Sequence, residues 1–365
     1  MRVANGNAQR RSVWAAECET EKPAEDFSVD LFHAAKPICL AIIHRRQDNR
    51  NPSFAARRMG IFVDQKAPEA LNPLSIRRSP RLRMSGERFG RVPDVRQKIL
   101  LCAPDFFTVD YVINPWMEHN RGNTDHGLAR RQWTALRDAL APHADLVYVA
   151  PQPGLPDMVF TANAGLVLGD RAVVSRFRSP ERRGEEPFFQ AWFRENGFVP
   201  APWPKNVFFE GAGDALFDRS LPILWCGFGI RSDEGAAGLL DKLLAPREVI
   251  ALRLVDPRFY HLDTCFCPLA GGYLMYYPAA FHADSRAAIE NAVPAEKRIA
   301  VGEEDALAFA CNAVDLERHV FLNAAGPDLQ NKLTAAGFTP VVTPLSEFLK
   351  AGGAAKCLTL KLRES

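Results

Sequence analysis

The sequence lacks any apolar run long enough to span a bilayer. Its best short candidate, Ile38–Ile43, has about a third of the length needed. The residues after Met1 are polar where a secretory signal would need an apolar stretch. An excess of one charge is also lacking. The formal net charge of +2 leaves no overall footprint for nucleic acid or a membrane surface. Cysteine is sparse. Cys18, Cys39, Cys102, Cys226, Cys265, Cys267, Cys311 and Cys357 are scattered over 365 residues, unlike the short, cysteine-dense chains that disulfides staple together. A reducing, cytoplasmic compartment is expected. Cys265 and Cys267 stand one residue apart without a second Cys/His pair at zinc-finger spacing, so no metal is expected there. They read as small apolar residues on a strand.

What is present is unevenly distributed. Residues 1–96 are rich in arginine (Arg10-Arg11, Arg45-Arg46, Arg77-Arg78) and poor in periodic apolar stretches. Such a segment buries too little apolar surface to offset its ordering entropy. It reads as a disordered extension, or as sequence upstream of the true start, with Met84 as an alternative initiator. The acidic cluster Glu17–Asp26 argues against a transit peptide; a nucleic-acid-binding tail is the other reading of its arginines. Residues 97–365 are expected to form a single domain.

From Lys98 onward, strand and helix signals alternate. Ile99–Cys102, Leu146–Val149, Ile223–Gly227, Val249–Leu254, Tyr273–Tyr277, His319–Leu322, Thr339–Val342 and Leu358–Leu362 read as strands. Ala164–Phe177 reads as two strands around a Gly169-Asp170 turn, and Val207–Phe217 as one long strand. Between them, His126–His143, Pro187–Asn196, Asp233–Leu244, Ser285–Ala292, Pro327–Ala336 and Ser346–Lys350 carry helical spacing. This alternation predicts an α/β fold.

Four segments place titratable or polar residues among small ones, where a ligand or another backbone can approach closely. They are Pro156–Gly165, Phe209–Asp214, Tyr260–Cys265 and Gly352–Thr359. Together they supply a thiol, an imidazole and several carboxylates. An ionised cysteine is a strong nucleophile and histidine a proton shuttle near neutral pH. Carboxylates bind a planar guanidinium through paired, charge-assisted hydrogen bonds. The combination suits a guanidino substrate.

These segments resemble the guanidino-group-modifying superfamily of arginine deiminases, dimethylarginine dimethylaminohydrolases and amidinotransferases. The resemblance is nearest to arginine dihydrolase-type enzymes and runs from about Ile99 to Leu362. Its most specific stretches are Tyr111–Met117, Pro156–Val167, Phe209–Leu216, Phe259–Pro268 and Glu347–Leu360. It implies a five-bladed α/β propeller (pentein-type, of ββαβ repeats) with its site in the central channel. It also implies Cys357 as nucleophile, His261 as acid/base and Glu210 as the carboxylate of the Glu-Gly-Gly-Asp motif, here lengthened by Ala212 and ending at Asp214. Asp263 is implied as a guanidinium ligand. Asn114 and Arg182 are implied at the α-amino and α-carboxylate ends of the substrate. Where deiminases place an aspartate, this chain has Asn163.

The expected chemistry is hydrolysis of the guanidino C–N bonds of arginine through a covalent cysteine intermediate, giving ornithine, ammonia and carbon dioxide without metal or organic cofactor. In it, Glu210 and Asp263 clamp the guanidinium, and Asn163 offers amide donors to a neutral ureido group. Deiminase, dimethylarginine hydrolase and amidinotransferase activities are the enzymatic alternatives. A non-catalytic propeller, as in ribosome-binding translation factors, is the alternative of another class. The expected partner is a small guanidino compound, neither nucleic acid nor membrane. The sequence leaves homo-oligomer formation open.

Overall fold

The structure, a computed structural model, describes residues 96–244 and 247–364. The expectation for the N-terminal segment lies outside these residues, apart from Arg96 at its end. Five three-stranded sheets are present, all built to one plan. β1 (Gln97–Cys102), α1 (His126–Leu140) and β2 (Ala144–Val149) come first, then β3 (Gly165–Leu168), β4 (Arg171–Val174), α2 (Glu186–Glu195) and β5 (Val199–Pro200). The third group is β6 (Ala215–Phe217), β7 (Ile223–Phe228), α3 (Gly235–Leu244) and β8 (Glu248–Arg253). The fourth is β9 (Phe266–Leu269), β10 (Tyr273–Tyr276), α4 (Ala283–Ala292) and β11 (Arg298–Ala300). After the short helix α5 (Glu303–Leu307) come β12 (Val314–Leu316), β13 (His319–Leu322), α6 (Pro327–Ala335) and β14 (Thr339–Val342). Last are α7 (Ser346–Leu349) and β15 (Leu360–Lys361), which pairs antiparallel with β1, Leu100 opposite Leu360. In every sheet the two inner strands are antiparallel and the third joins parallel after a helix. A parallel pair needs such a crossover.

The burial pattern explains which strands the sequence announces. Every middle strand but β4 is buried over most of its length and reads as an apolar run, Ile99–Cys102 and Ile223–Cys226 being the clearest. The third strands β8 and β14 are only partly covered. Helix α1 begins where the Asp125 carboxylate accepts the Leu128 N–H at 2.9 Å, and it turns Ala129, Trp133, Leu136 and Leu140 inward. Full burial of Leu136 and of Leu140 stabilises by about 2 kcal/mol each. No helix among the described residues is long and apolar enough to cross a membrane.

Two expectations are corrected. Val207–Phe217 is not one strand. Phe209 makes an isolated bridge to Arg176, Gly211 turns the chain at φ +63°, and the strand begins only at Ala215. A Cβ on Gly211 would come within 2.9 Å of the Gly165 backbone, so the turn depends on glycine. Likewise, Leu358 and Thr359 belong to a turn, and only Leu360–Lys361 is strand.

Candidate active site

Each sheet's innermost strand is entered from a short, buried, irregular segment carrying a polar side chain. Asn163 precedes β3, Glu210 and Asp214 precede β6, His261 and Asp263 precede β9, Asn312 precedes β12 and Cys357 precedes β15. These segments are hydrogen-bonded in a closed circuit. Asn163 Nδ2 donates to the Glu210 carbonyl at 2.9 Å, and Leu262 N–H to the Asp214 carboxylate at 3.0 Å. Asn312 Nδ2 donates to the Asp263 carbonyl at 3.0 Å. Lys356 N–H donates to the Asn312 carbonyl, and Ala162 N–H returns the circuit to the Cys357 carbonyl. The small residues permit this closeness: a Cβ on Gly213 would lie 2.3 Å from Asn163 Nδ2.

The Cys357 Sγ lies 3.5 Å from Asp263 Oδ2 and 3.0 Å from Asn312 Nδ2, and the residue is 3% exposed. Burial first, then the Asp263 carboxylate, pushes the thiol well above its ordinary range, against the Ala354 N–H, the Asn312 amide and Lys356. Burial likewise raises Asp263 to about 7, against the pull of Lys356. His261 Nε2 is 2.8 Å from Glu210 Oε2. Glu210 also accepts from Arg231 at 3.1 Å and from the Arg178 N–H at 3.1 Å. Burial works to raise the Glu210 pKa, but Arg231 and His261 outweigh it and hold this carboxyl well below the usual range. Asp214 accepts from Ser232 Oγ at 2.6 Å, and burial raises it to about 6.

Cys357, His261, Asn163, Asn114 and Arg182 share the lining of one cavity with Asp157, Arg231 and Tyr260. It is small, with room for about 10 Å³, a single water-sized sphere. Larger clefts of about 610 and 560 Å³ elsewhere are lined by no cysteine, so size alone points away from the chemistry.

The geometry bears on several roles expected from sequence. Glu210, Asp214 and Asp263 do not line the cavity, Asp263 standing against the thiol that does, and both Glu210 oxygens are engaged by protein donors. Both oxygens are turned to His261, Arg231 and the Arg178 N–H, and away from the cavity. Arg182 directs its donors to Glu185, Asn163 Oδ1 and the Asp157 carbonyl, leaving one N–H unspent. That makes it a brace, poorly placed to grip a carboxylate. Asn114 caps the 115–117 turn through its oxygen and ties it to the Ala351 carbonyl through Nδ2. Asn163 keeps one amide hydrogen unspent, where two donors were expected.

Three residues of the site went unnoticed in the sequence. Asp157 is 2% exposed, with Oδ1 lacking a hydrogen-bond partner. Arg231 lies over the Tyr260 ring, 4.6 Å from its centroid, with donors to spare. Asn312 touches the thiol. The recurrence of polar residues just before the inner strands was the signal that would have found Asn312.

A buried thiol set among carboxylates and an imidazole, on five repeated α/β units, defines a cysteine-dependent guanidino-group-modifying enzyme. Residues 114–364 match the family described as N,N dimethylarginine dimethylhydrolase, eukaryotic, and the chain belongs to that family. It is 55% identical over 269 residues to the bifunctional arginine dihydrolase/ornithine cyclodeaminase AgrE of Nostoc sp. (strain PCC 7120), covering 74% of this chain and 38% of that protein. The chain thus spans well under half the length of that relative. It is 37% identical over 325 residues to the N(G),N(G)-dimethylarginine dimethylaminohydrolase of Mycobacterium tuberculosis, covering 87% of this chain and 99% of that one. Two crystal structures of the N-terminal domain of cyanobacterial ArgZ superpose with TM-scores of 0.72 at 54% identity, covering 73% of this chain and 98% of the domain. One is a cysteine-to-serine mutant bound to substrate, and the other is covalently bound to a reaction intermediate.

Proposed function

We propose that this protein is an arginine dihydrolase: arginine and two waters give ornithine, two ammonia and carbon dioxide. The observation that carries the reading is the Cys357 thiol, which shares the wall of one cavity with His261 and lies 3.5 Å from the Asp263 carboxylate. The 55% identity to a dihydrolase supports arginine as substrate. The five units are read as blades of a closed propeller around this site, and residues 97–365 as its single domain.

In this reading the guanidinium lies against Asp263, and its positive charge offsets the two influences that keep Cys357 protonated. A cation about 4 Å away is worth roughly three pKa units at an effective dielectric of about 20. The thiolate attacks the guanidino carbon. His261 gives a proton to the departing ammonia, then takes one from the water that displaces the sulfur. Because Glu210 is ionised, His261 Nε2 carries the proton between them, and Nδ1 is the nitrogen that exchanges protons with substrate. Asp157 meets the α-ammonium group and Arg231 the α-carboxylate, as the groups with hydrogen-bonding capacity to spare. Arginine is larger than this cavity, so binding requires its lining to move apart. A product panel from arginine, methylarginines, agmatine and citrulline tests the assignment: ornithine from arginine supports it. Turnover of methylarginines alone would favour the second reading, for which the family description speaks.

The pH dependence follows from Asp263. Its carboxyl is raised to about 7, so it is protonated below that pH and binds a cation only above it. kcat/KM for arginine is therefore expected to climb as pH rises through about 7, and Asp263→Asn to lose that limb together with most activity. A flat profile from pH 5 to 8 in the wild type would remove Asp263 from substrate binding.

Removing residues 1–83 is expected to change turnover less than about twofold and Tm by less than about 2 °C, since every site residue lies between 114 and 357. Loss of most activity would show that the domain reading is too narrow.

A further inference from the structure

Asn312 makes six hydrogen bonds in a fully buried position, and together they fix which way its amide points. Oδ1 accepts from the Ala354 and Cys357 N–H groups, both at 3.1 Å. Nδ2 donates to the Asp263 carbonyl and to Cys357 Sγ, both at 3.0 Å. Its backbone carbonyl accepts from Lys356 N–H, and its own N–H donates to the Phe309 carbonyl. A flipped amide would set its NH₂ against two N–H donors and its oxygen against a carbonyl. The nitrogen therefore faces the sulfur. It reaches that place from a strained turn, Phe309 standing at φ +57° without being glycine. The fifth unit thus contributes to the circuit a neutral donor aimed at the sulfur, where three of the other units contribute titratable groups and one another amide.

We propose that Asn312 is the positioning residue that holds the Cys357 sulfur in its attacking orientation and donates a hydrogen bond that favours its thiolate. This rests on reading Cys357 as the nucleophile, but not on the identity of the substrate. A donor stabilises the sulfur more when it is charged than when it is a thiol. The same amide fastens the Ala354–Cys357 backbone to the Asp263 segment, so sulfur and carboxylate are set by one group. Asn312 offsets part of the cost of burying a nucleophile beside an acid, and it does so without adding a charge that would repel a guanidinium.

The test is the pH dependence of Cys357 alkylation by chloroacetamide, a neutral reagent, read by intact mass on the full chain with Cys357→Ser as the site control. No arginine is needed, so a wrong substrate assignment leaves this result untouched. Asn312→Asp keeps the shape and removes the donor. At the alkaline pH where the thiol ionises, the introduced carboxylate also repels the thiolate. The alkylation midpoint is expected to move up by about one to two pH units, the worth of a hydrogen bond to a charged acceptor. Asn312→Ala, which loses the donor without adding charge, should move it in the same direction by less. A folded variant with an unmoved midpoint overturns the proposal. Should neither variant fold, the wild type decides. With asparagine side chains labelled with nitrogen-15, an amide resonance is expected to move with the alkylation midpoint and to stay still in Cys357→Ser. If no asparagine side-chain resonance follows Cys357, the proposal fails.

Discussion

Cys357→Ser is expected to reduce arginine turnover by at least about 10,000-fold with little change in Tm, as removal of a nucleophile that acts as a unit with its base does elsewhere. The serine hydroxyl is as buried as the thiol, and beside Asn312 and Asp263 it is far harder to ionise than a thiol. Its smaller oxygen fits the same space, so the surrounding hydrogen bonds persist and the variant should still bind arginine. The wild type quenched in mid-turnover should carry a mass increment on Cys357. Activity within tenfold of wild type in the serine variant would exclude Cys357 as nucleophile.

The second large effect concerns product. A deiminase stops at citrulline, whose neutral ureido group is held weakly among carboxylates. Asn163 replaces one of those charges with an amide, leaving one N–H for the ureido oxygen. A second attack, releasing ornithine, is then possible. Asn163→Asp keeps the contact with Arg182 but sets a carboxylate oxygen 2.9 Å from the Glu210 carbonyl, and it adds a negative charge to the site. Product is expected to swing from mainly ornithine to mainly citrulline, a change of tenfold or more in their ratio by chromatography. Wild type yielding only citrulline, or the aspartate variant yielding only ornithine, would remove Asn163 from this role.

The sequence made some features plain and concealed others for physical reasons. Middle strands such as Ile223–Cys226 are buried on both faces, so their residues are apolar without interruption and stand out. The inner strands β6 and β12 have three residues each, too few to show a period, and β12 was missed altogether. Cys357, His261, Glu210 and Asp263 were legible because titratable groups among small residues are uncommon. Asn312 sits between Cys311 and Ala313 with no charge to mark it, and its partners lie 45 and 49 residues away. The expectations for Arg182, Asn114 and Glu210 meet one obstacle: a side chain's type is visible in sequence, but whether its donors or acceptors are already spent is not.

The pairing of β15 with β1 has a consequence for how the molecule comes into being. Gln97 and Arg363, which flank this pair, are hydrogen-bonded across 266 residues of chain. Contacts of such separation are slow to form, because loop-closure entropy must be overcome before they give anything back. During synthesis the first sheet waits, one strand short, while four complete units emerge after it. The segment that finally completes it also carries the thiol, only three residues before β15. Folding intermediates that lack this strand therefore lack the nucleophile's setting too. The thiol therefore meets its catalytic partners only at the last step of assembly.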